Sequence, residues 1–254
     1  MGYMNINNIL TKTEYTKERS AKELFEFVKL KEEELWAWSW EHSGTKALSE
    51  TTHRELTKGL PDKFAHELTP FAYYANTYYG NKREVRFKPC CGGEPYDGII
   101  IDDNNEVFVE ITQSIFGEEW AVVKEVLAEK GRSPWEYDIL GVNKKNRGEK
   151  KKLAVDIVTG RQVAKQVDCV SKLKELVKKT ADKKCKTSLD PSLRYGQNKT
   201  ILIVTFVEIG SVRPSISKKD WDDFVDFKRT EVDCMKHNFR KIILFGCLDK
   251  KFID

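Results

Sequence analysis

No stretch of the chain approaches the roughly 18–20 consecutive apolar residues that a membrane-spanning helix needs, so no membrane partner is expected. The first dozen residues, Met1 to Lys12, lack a basic region followed by an apolar run. No secretory signal is therefore visible, and a cytoplasmic location is expected. The six cysteines, at positions 90, 91, 169, 185, 234 and 247, include no CxxC pair. A disulfide framework or a structural zinc site is disfavoured, and reduced thiols are expected. The chain has no internal repeat, no Pro- or Ser-rich linker and no low-complexity segment. It also lacks a GxxxxGK[ST] phosphate loop and a GxSxG elbow, which argues against an ATPase or an α/β-hydrolase.

What remains is a globular composition. The 254 residues are 40% hydrophobic, 11% aromatic and 33% charged, too apolar and too balanced in charge for general disorder. The length suffices for a sizeable core, and a single domain over 1–254 is expected. The net charge of +4 conceals an asymmetry. Between Lys144 and Lys186 there are 15 Lys or Arg against five acids, a local +10 that leaves −6 for the remainder. A basic face on a mildly acidic body suits phosphate binding through counterion release, although the same lysines on a solvated helix and loop fit the composition equally.

Periodicity divides the chain. Residues 17–41 read as a helix, followed by helical stretches over 46–58 and from Asp62, the latter restarting at Thr69-Pro70, with Thr as cap and Pro in the first turn, and ending at Gly80. These form an N-terminal helical elaboration, 1–61, leading into an α/β core, 62–254. Strands are predicted over 84–87, 96–101 and 107–112, the last two joined by the polar turn Asp102–Asn105. A helix over about 118–129 precedes a basic insertion, 132–160. A long amphipathic helix over 161–184 turns Val163, Val167, Val170, Leu173, Leu176 and Val177 to the core. An apolar strand over 200–207, a helix from Asp220 to about Lys236 capped by Ser217, and a last strand over 241–248 complete an α/β fold.

Two carboxylates interrupt apolar runs. Asp97 precedes Gly-Ile-Ile-Ile, and Glu110, thirteen residues on, follows Val-Phe-Val. In an antiparallel hairpin these positions lie near the same end of the sheet. Buried charges are costly unless they are paired or bind a cation, and converging carboxylates suit Mg²⁺, or Mn²⁺ in its place. A structural alternative stands beside this: Asp97 as a strand-start residue bonding a backbone amide, and Glu110 as the partner of a lysine. Cys90-Cys91 read as ordinary thiols, and Tyr74 and Tyr78, which share a helix face, as packing against the sheet rather than as a base-stacking platform.

The order helix, strand, strand with Asp97, strand with Glu110, helix, strand, over about residues 62–207, resembles the core of the PD-(D/E)XK nuclease superfamily. The resemblance implies a mixed central β-sheet flanked by helices, a restriction-endonuclease-like core. It implies Asp97 and Glu110 as metal-holding catalytic acids, preceded by a near-match proline at Pro95, with a further acid from the preceding helix, for which Glu67 is the candidate and Glu55 stands behind it. Where the family places lysine, two residues after the second acid, this chain has Thr112. Thr112, on the face of Glu110, or Lys124, relocated to the following helix, would take its place. The function so implied is metal-dependent endonucleolytic cleavage of DNA, with RNA left open, of a restriction or phage-defence kind in which homodimers are frequent. Lys144, Lys145, Arg147, Lys150, Lys151 and Lys152 would hold the phosphate backbone. The alternative is a catalytically inactive protein of the same fold that binds nucleic acid or another protein.

Overall fold

The structure, a computed structural model, describes residues 6–42, 56, 59–103, 105–114, 166–190, 199–206, 218–247 and 249–254. Most of the predicted helix over 46–58, the helix over 118–129, the basic insertion 132–160 and Ser217 lie outside these residues, as do Glu55, Lys124, Lys144, Lys145, Arg147, Lys150, Lys151 and Lys152.

In chain order the elements are helix α1 (Lys12–Thr16), strand β1 (Arg19–Ser20), and helices α2 (Ala21–His42), α3 (Gly59–Lys63) and α4 (Thr69–Tyr79). Strands β2 (Arg86–Pro89), β3 (Gly98–Asp102) and β4 (Asn105–Ser114) follow, then α5 (Gln166–Ser188), β5 (Thr200–Phe206), α6 (Lys218–Phe227), β6 (Lys241–Gly246) and β7 (Lys251–Ile253). The seven strands form one mixed sheet in sequence order. β1 to β4 are an antiparallel meander, β4, β5 and β6 run parallel, and β7 returns antiparallel along β6. The expected α/β class, a mixed sheet flanked by helices with an N-terminal helical region, is the fold observed.

Period-two alternation assigns the two faces. On one face Phe87, Ile100, Val107, Val109, Ile111, Ile201, Ile203, Ile243 and Phe245 pack with the N-terminal helices through Leu24, Val28, Phe71 and Ala75. On the other, Leu202, Val204, Phe206, Ile242 and Leu244 pack with Val177, Ala181 and Cys185 of α5 and with Trp221 and Phe224 of α6. Both parallel crossovers carry their helix to this second face, as two right-handed connections advancing in one direction must. β5, central and covered on both sides, is buried along its whole length, which is why its sequence is mostly apolar, with Thr200 and Thr205 as its polar members. On α5, Leu176 and Val177 are buried while Val170 and Leu173 are partly so; Val163 and the side chain of Val167 are not among the described residues.

Some local expectations change. The helix expected over 17–41 begins at Ala21, because Arg19 and Ser20 pair with β2 instead. Thr69 does not cap a new helix: its φ and ψ of −59° and −53° are helical, and a π-helical turn, Phe64–Leu68, runs directly into α4. Pro70 has no N–H to give to the carbonyl four residues back, and the wider turn lets Thr69 N–H reach Phe64 O instead. A second π turn, Lys228–Val232, extends α6 in place of the uniform helix expected to Lys236. The final strand stops at Gly246, with β7 a separate strand. Asp102 pairs with Asn105, so the predicted hairpin turn is present, with Asp103 at φ 52°. Tyr74 and Tyr78 pack on each other, their ring centroids 4.7 Å apart, and on Phe252, as expected of a packing pair.

Among the described residues no helix is long and apolar enough to cross a membrane.

Candidate functional site

The β3–β4 register, Gly98↔Val109 through Asp102↔Asn105, makes Asp97 and Glu110 the next facing positions beyond the ladder. They do not form a regular rung. Asp97 N–H donates to Val109 O at 2.8 Å, and Asp97 Oδ2 accepts the Ile111 N–H at 2.7 Å. Asp97 therefore grips the β4 backbone on both sides of Glu110, while its own carbonyl accepts from Cys90 N–H at 2.9 Å. Gly98 permits this approach. A Cβ there would stand 2.6 Å from Phe71 Cε1, so the strand that begins beside Asp97 lies flush on α4 only without a side chain.

Glu110 shares its face with Thr112 and with Leu202 and Val204, the residues opposite them on β5, and thus faces α5. Its side chain is only 6% exposed. Oε1 is held by Lys184 Nζ from the last turns of α5, whereas Oε2 is buried without a hydrogen-bond partner. Lys184 is the residue that reading the sequence did not single out. A signal for it existed: the buried positions Val177, Ala181, Cys185 and Ser188 define the inward face of α5, and Lys184 sits among them at helical spacing.

A third carboxylate joins the cluster. Glu67, the candidate acid of the preceding helix, lies on the first π turn and is half-buried. Its Oε2 lies 3.5 Å from Lys63 Nζ, within ion-pair range but without hydrogen-bond geometry. Burial, then the nearby Asp97 charge, raises the Glu67 carboxyl above the usual range. Asp97 is likewise raised, foremost by burial and further by Glu110, against the Ile111 amide, Lys184 and Lys63, which pull it down. Beneath them Tyr15 is fully buried, its hydroxyl 3.5 Å from Lys63 O. Burial and the charges of Glu67 and Asp97 hold that phenol neutral. His66, next to Glu67, turns away and pairs with Asp62 at 3.4 Å.

The structure thus gathers Asp97, Glu110 and Glu67 with two lysines, Lys184 and Lys63. It does not draw in Thr112, whose hydroxyl makes no hydrogen bond to either acid; its carbonyl accepts from Thr205 at 3.4 Å. Cys90, with its thiol pushed up to about 11 by burial and Glu94, is no thiolate ligand at neutral pH.

The donor set suits a hard divalent cation: carboxylate oxygens, two of them buried without hydrogen-bond partners. Yet among the described residues no three such groups already converge closely enough to hold an ion. Glu110 would have to leave Lys184, and Glu67 would have to leave Lys63. Both structural alternatives for the acids are also present, Asp97 on a backbone amide and Glu110 on a lysine. Comparison of the chain with protein-family models, curated proteins and solved structures gives no match.

Proposed function

We propose that the chain is a metal-dependent nuclease that hydrolyses DNA phosphodiesters at the cluster of Asp97, Glu110 and Lys184. The observation that carries this reading is the position of Lys184. The family pattern needs a lysine beside its second acid, the sequence has Thr112 where that lysine belongs, and α5 delivers an ammonium group to Glu110 from elsewhere in the chain. The arrangement of helix α4, antiparallel β2, β3 and β4, a crossover to the second face and parallel β5 supports the same resemblance.

Asp97 and Glu110, with Glu67 as a third donor, would hold Mg²⁺, which when bound polarises the phosphodiester and lowers the pKa of an attacking water. Asp97 fixes the β4 backbone around Glu110, so the two carboxylates keep one relative placement. Lys184 supplies a donor beside Glu110 that can orient a water or meet a non-bridging phosphate oxygen. Glu110, only 6% exposed, lies where each of these interactions is little weakened by water.

The test is cleavage of supercoiled plasmid with Mg²⁺ and with EDTA, using the wild type, Asp97→Ala and Glu110→Ala. Nicked or linear product from the wild type with Mg²⁺ alone is expected. Intact plasmid with every divalent ion would overturn the proposal. A second reading is favoured by the partners the acids already possess: a protein of this fold that binds nucleic acid without cutting it, the Glu110–Lys184 pair being structural. It predicts a gel shift of DNA in EDTA and no product under any condition.

A further inference from the structure

The acids of the site are matched by two lysines, not one, and the arrangement is layered. The carboxylates lie inside, Glu110 at 6% and Glu67 at 24% side-chain exposure, and their ammonium partners lie further out, Lys184 at 30% and Lys63 at 37%. Any ligand arriving from solvent meets the lysines first. Lys63 comes from the end of α3 and Lys184 from the end of α5, so they approach the acids from separate elements. Both also act on Asp97.

Charge decides what such a layer can do. Three carboxylates and two ammonium groups sum to −1. A divalent cation among the carboxylates takes the group to +1 and removes the reason for each ammonium group to stay on its acid. A phosphodiester, at −1, then restores neutrality. The Lys63–Glu67 pair is also weakly held: it is long, half-exposed and in the less favourable i,i+4 order, with the cation on the N-terminal side.

We propose that Lys63 and Lys184 are displaceable counter-ions, freed together when a divalent cation takes the carboxylates, and that the two ammonium groups then clamp a phosphodiester anion at the mouth of the site. The proposal rests on the nuclease reading above, and it adds Lys63, which the family resemblance does not supply, as a phosphate ligand.

The experiment uses the full chain with Ca²⁺ alone as probe. Calorimetry reads cation binding, and acetylation by an amine-reactive ester, followed by peptide mass spectrometry, reads each lysine. With Ca²⁺ the labelling rates of Lys63 and Lys184 should rise at least about twofold, the factor equivalent to an exposed pair of about 0.5 kcal/mol. The rate at Lys22, 75% exposed and paired with Glu26 rather than with an acid of the site, should not change. A short DNA duplex added in Ca²⁺ should protect both lysines again. Glu110→Gln should free Lys184 but not Lys63 in the absence of cation. Heat of Ca²⁺ binding with unchanged labelling overturns the exchange and leaves the metal site standing. Labelling that rises but is not suppressed by duplex overturns the clamp. Absence of binding heat at two well-separated temperatures, together with a Tm unmoved by Ca²⁺, removes the cation site itself, and with it both this proposal and the metal-dependent reading.

Discussion

At the scale of single residues, the Glu110–Lys184 pair is asymmetric, because one partner can reach water and the other cannot. Lys184→Met leaves a carboxylate that is 6% exposed without a counter-charge, and should cost on the order of 2–4 kcal/mol at neutral pH. Glu110→Gln leaves an ammonium group on a long stem that is already 30% exposed, and should cost only about 1 kcal/mol. Equal losses in metal-free chemical denaturation would contradict this ranking. Asp97 behaves in the opposite sense. Its folded pKa is raised above the ordinary 3.8, so between those two values the folded chain binds more protons than the unfolded one, and stability falls as pH rises through that window. Asp97→Asn, which keeps an oxygen for the Ile111 N–H, should therefore raise the metal-free Tm at pH 7, with the gain shrinking as pH drops towards 4. A gain that grows on acidification would exclude burial as the dominant effect. The two acids were legible in the sequence because each breaks an apolar run. Lys184 was hidden in a lysine-rich segment, where a count of charges cannot tell the one inward ammonium group from its outward neighbours.

At the scale of elements, the site depends on how closely β3 and the π turn settle on their neighbours. Gly98→Ala would put a methyl group 2.6 Å from Phe71 Cε1, well inside van der Waals contact. The resulting shift of β3 against α4 should cost about 1–3 kcal/mol and disturb Asp97, the adjacent residue. Phe71→Leu in the same chain should recover part of the loss, a coupling that a double-mutant cycle in denaturant would read as non-additivity. The position of Glu67 depends on the π turn, Phe64–Leu68, that directly precedes Thr69-Pro70. The sequence showed a helix interrupted at Thr69-Pro70 and offered Glu67 as the candidate acid on it. It could not show whether the chain would break or widen there, because both outcomes satisfy a missing N–H and only the packing of Phe64, Leu68 and Phe71 against the sheet selects between them.

At the scale of the whole molecule, the proposed cation site would link metal binding to folding. If the carboxylates hold Mg²⁺ only in the folded chain, a concentration of 100 times Kd adds about 2.7 kcal/mol to stability, so millimolar Mg²⁺ should raise the wild-type Tm and leave that of Asp97→Asn nearly unmoved. Identical responses in the two proteins would place the ion elsewhere. On the proposed function, DNA would be held by the basic segment. Neutralising Lys150, Lys151 and Lys152 together should reduce the slope of log affinity against log salt by about two to three units, and an unchanged slope would return those residues to solvent.

The sequence by itself determined the class of fold, since the switch from 3.6-residue to two-residue periodicity and the mostly apolar run at 200–206 allow little but a sheet between helices. It also made Asp97 and Glu110 conspicuous, because a charge beside or inside an apolar strand announces itself along the chain. Tertiary structure alone decided which groups surround them. Lys184 is 74 residues from Glu110, and Lys63 is 34 from Asp97. Helical spacing can place Lys184 on the inward face of α5, but separations of that size leave no trace of which acid it meets. They are closed by the β4-to-β5 crossover, which lays α5 over Glu110, and by the seating of α3 and its π turn beside β4.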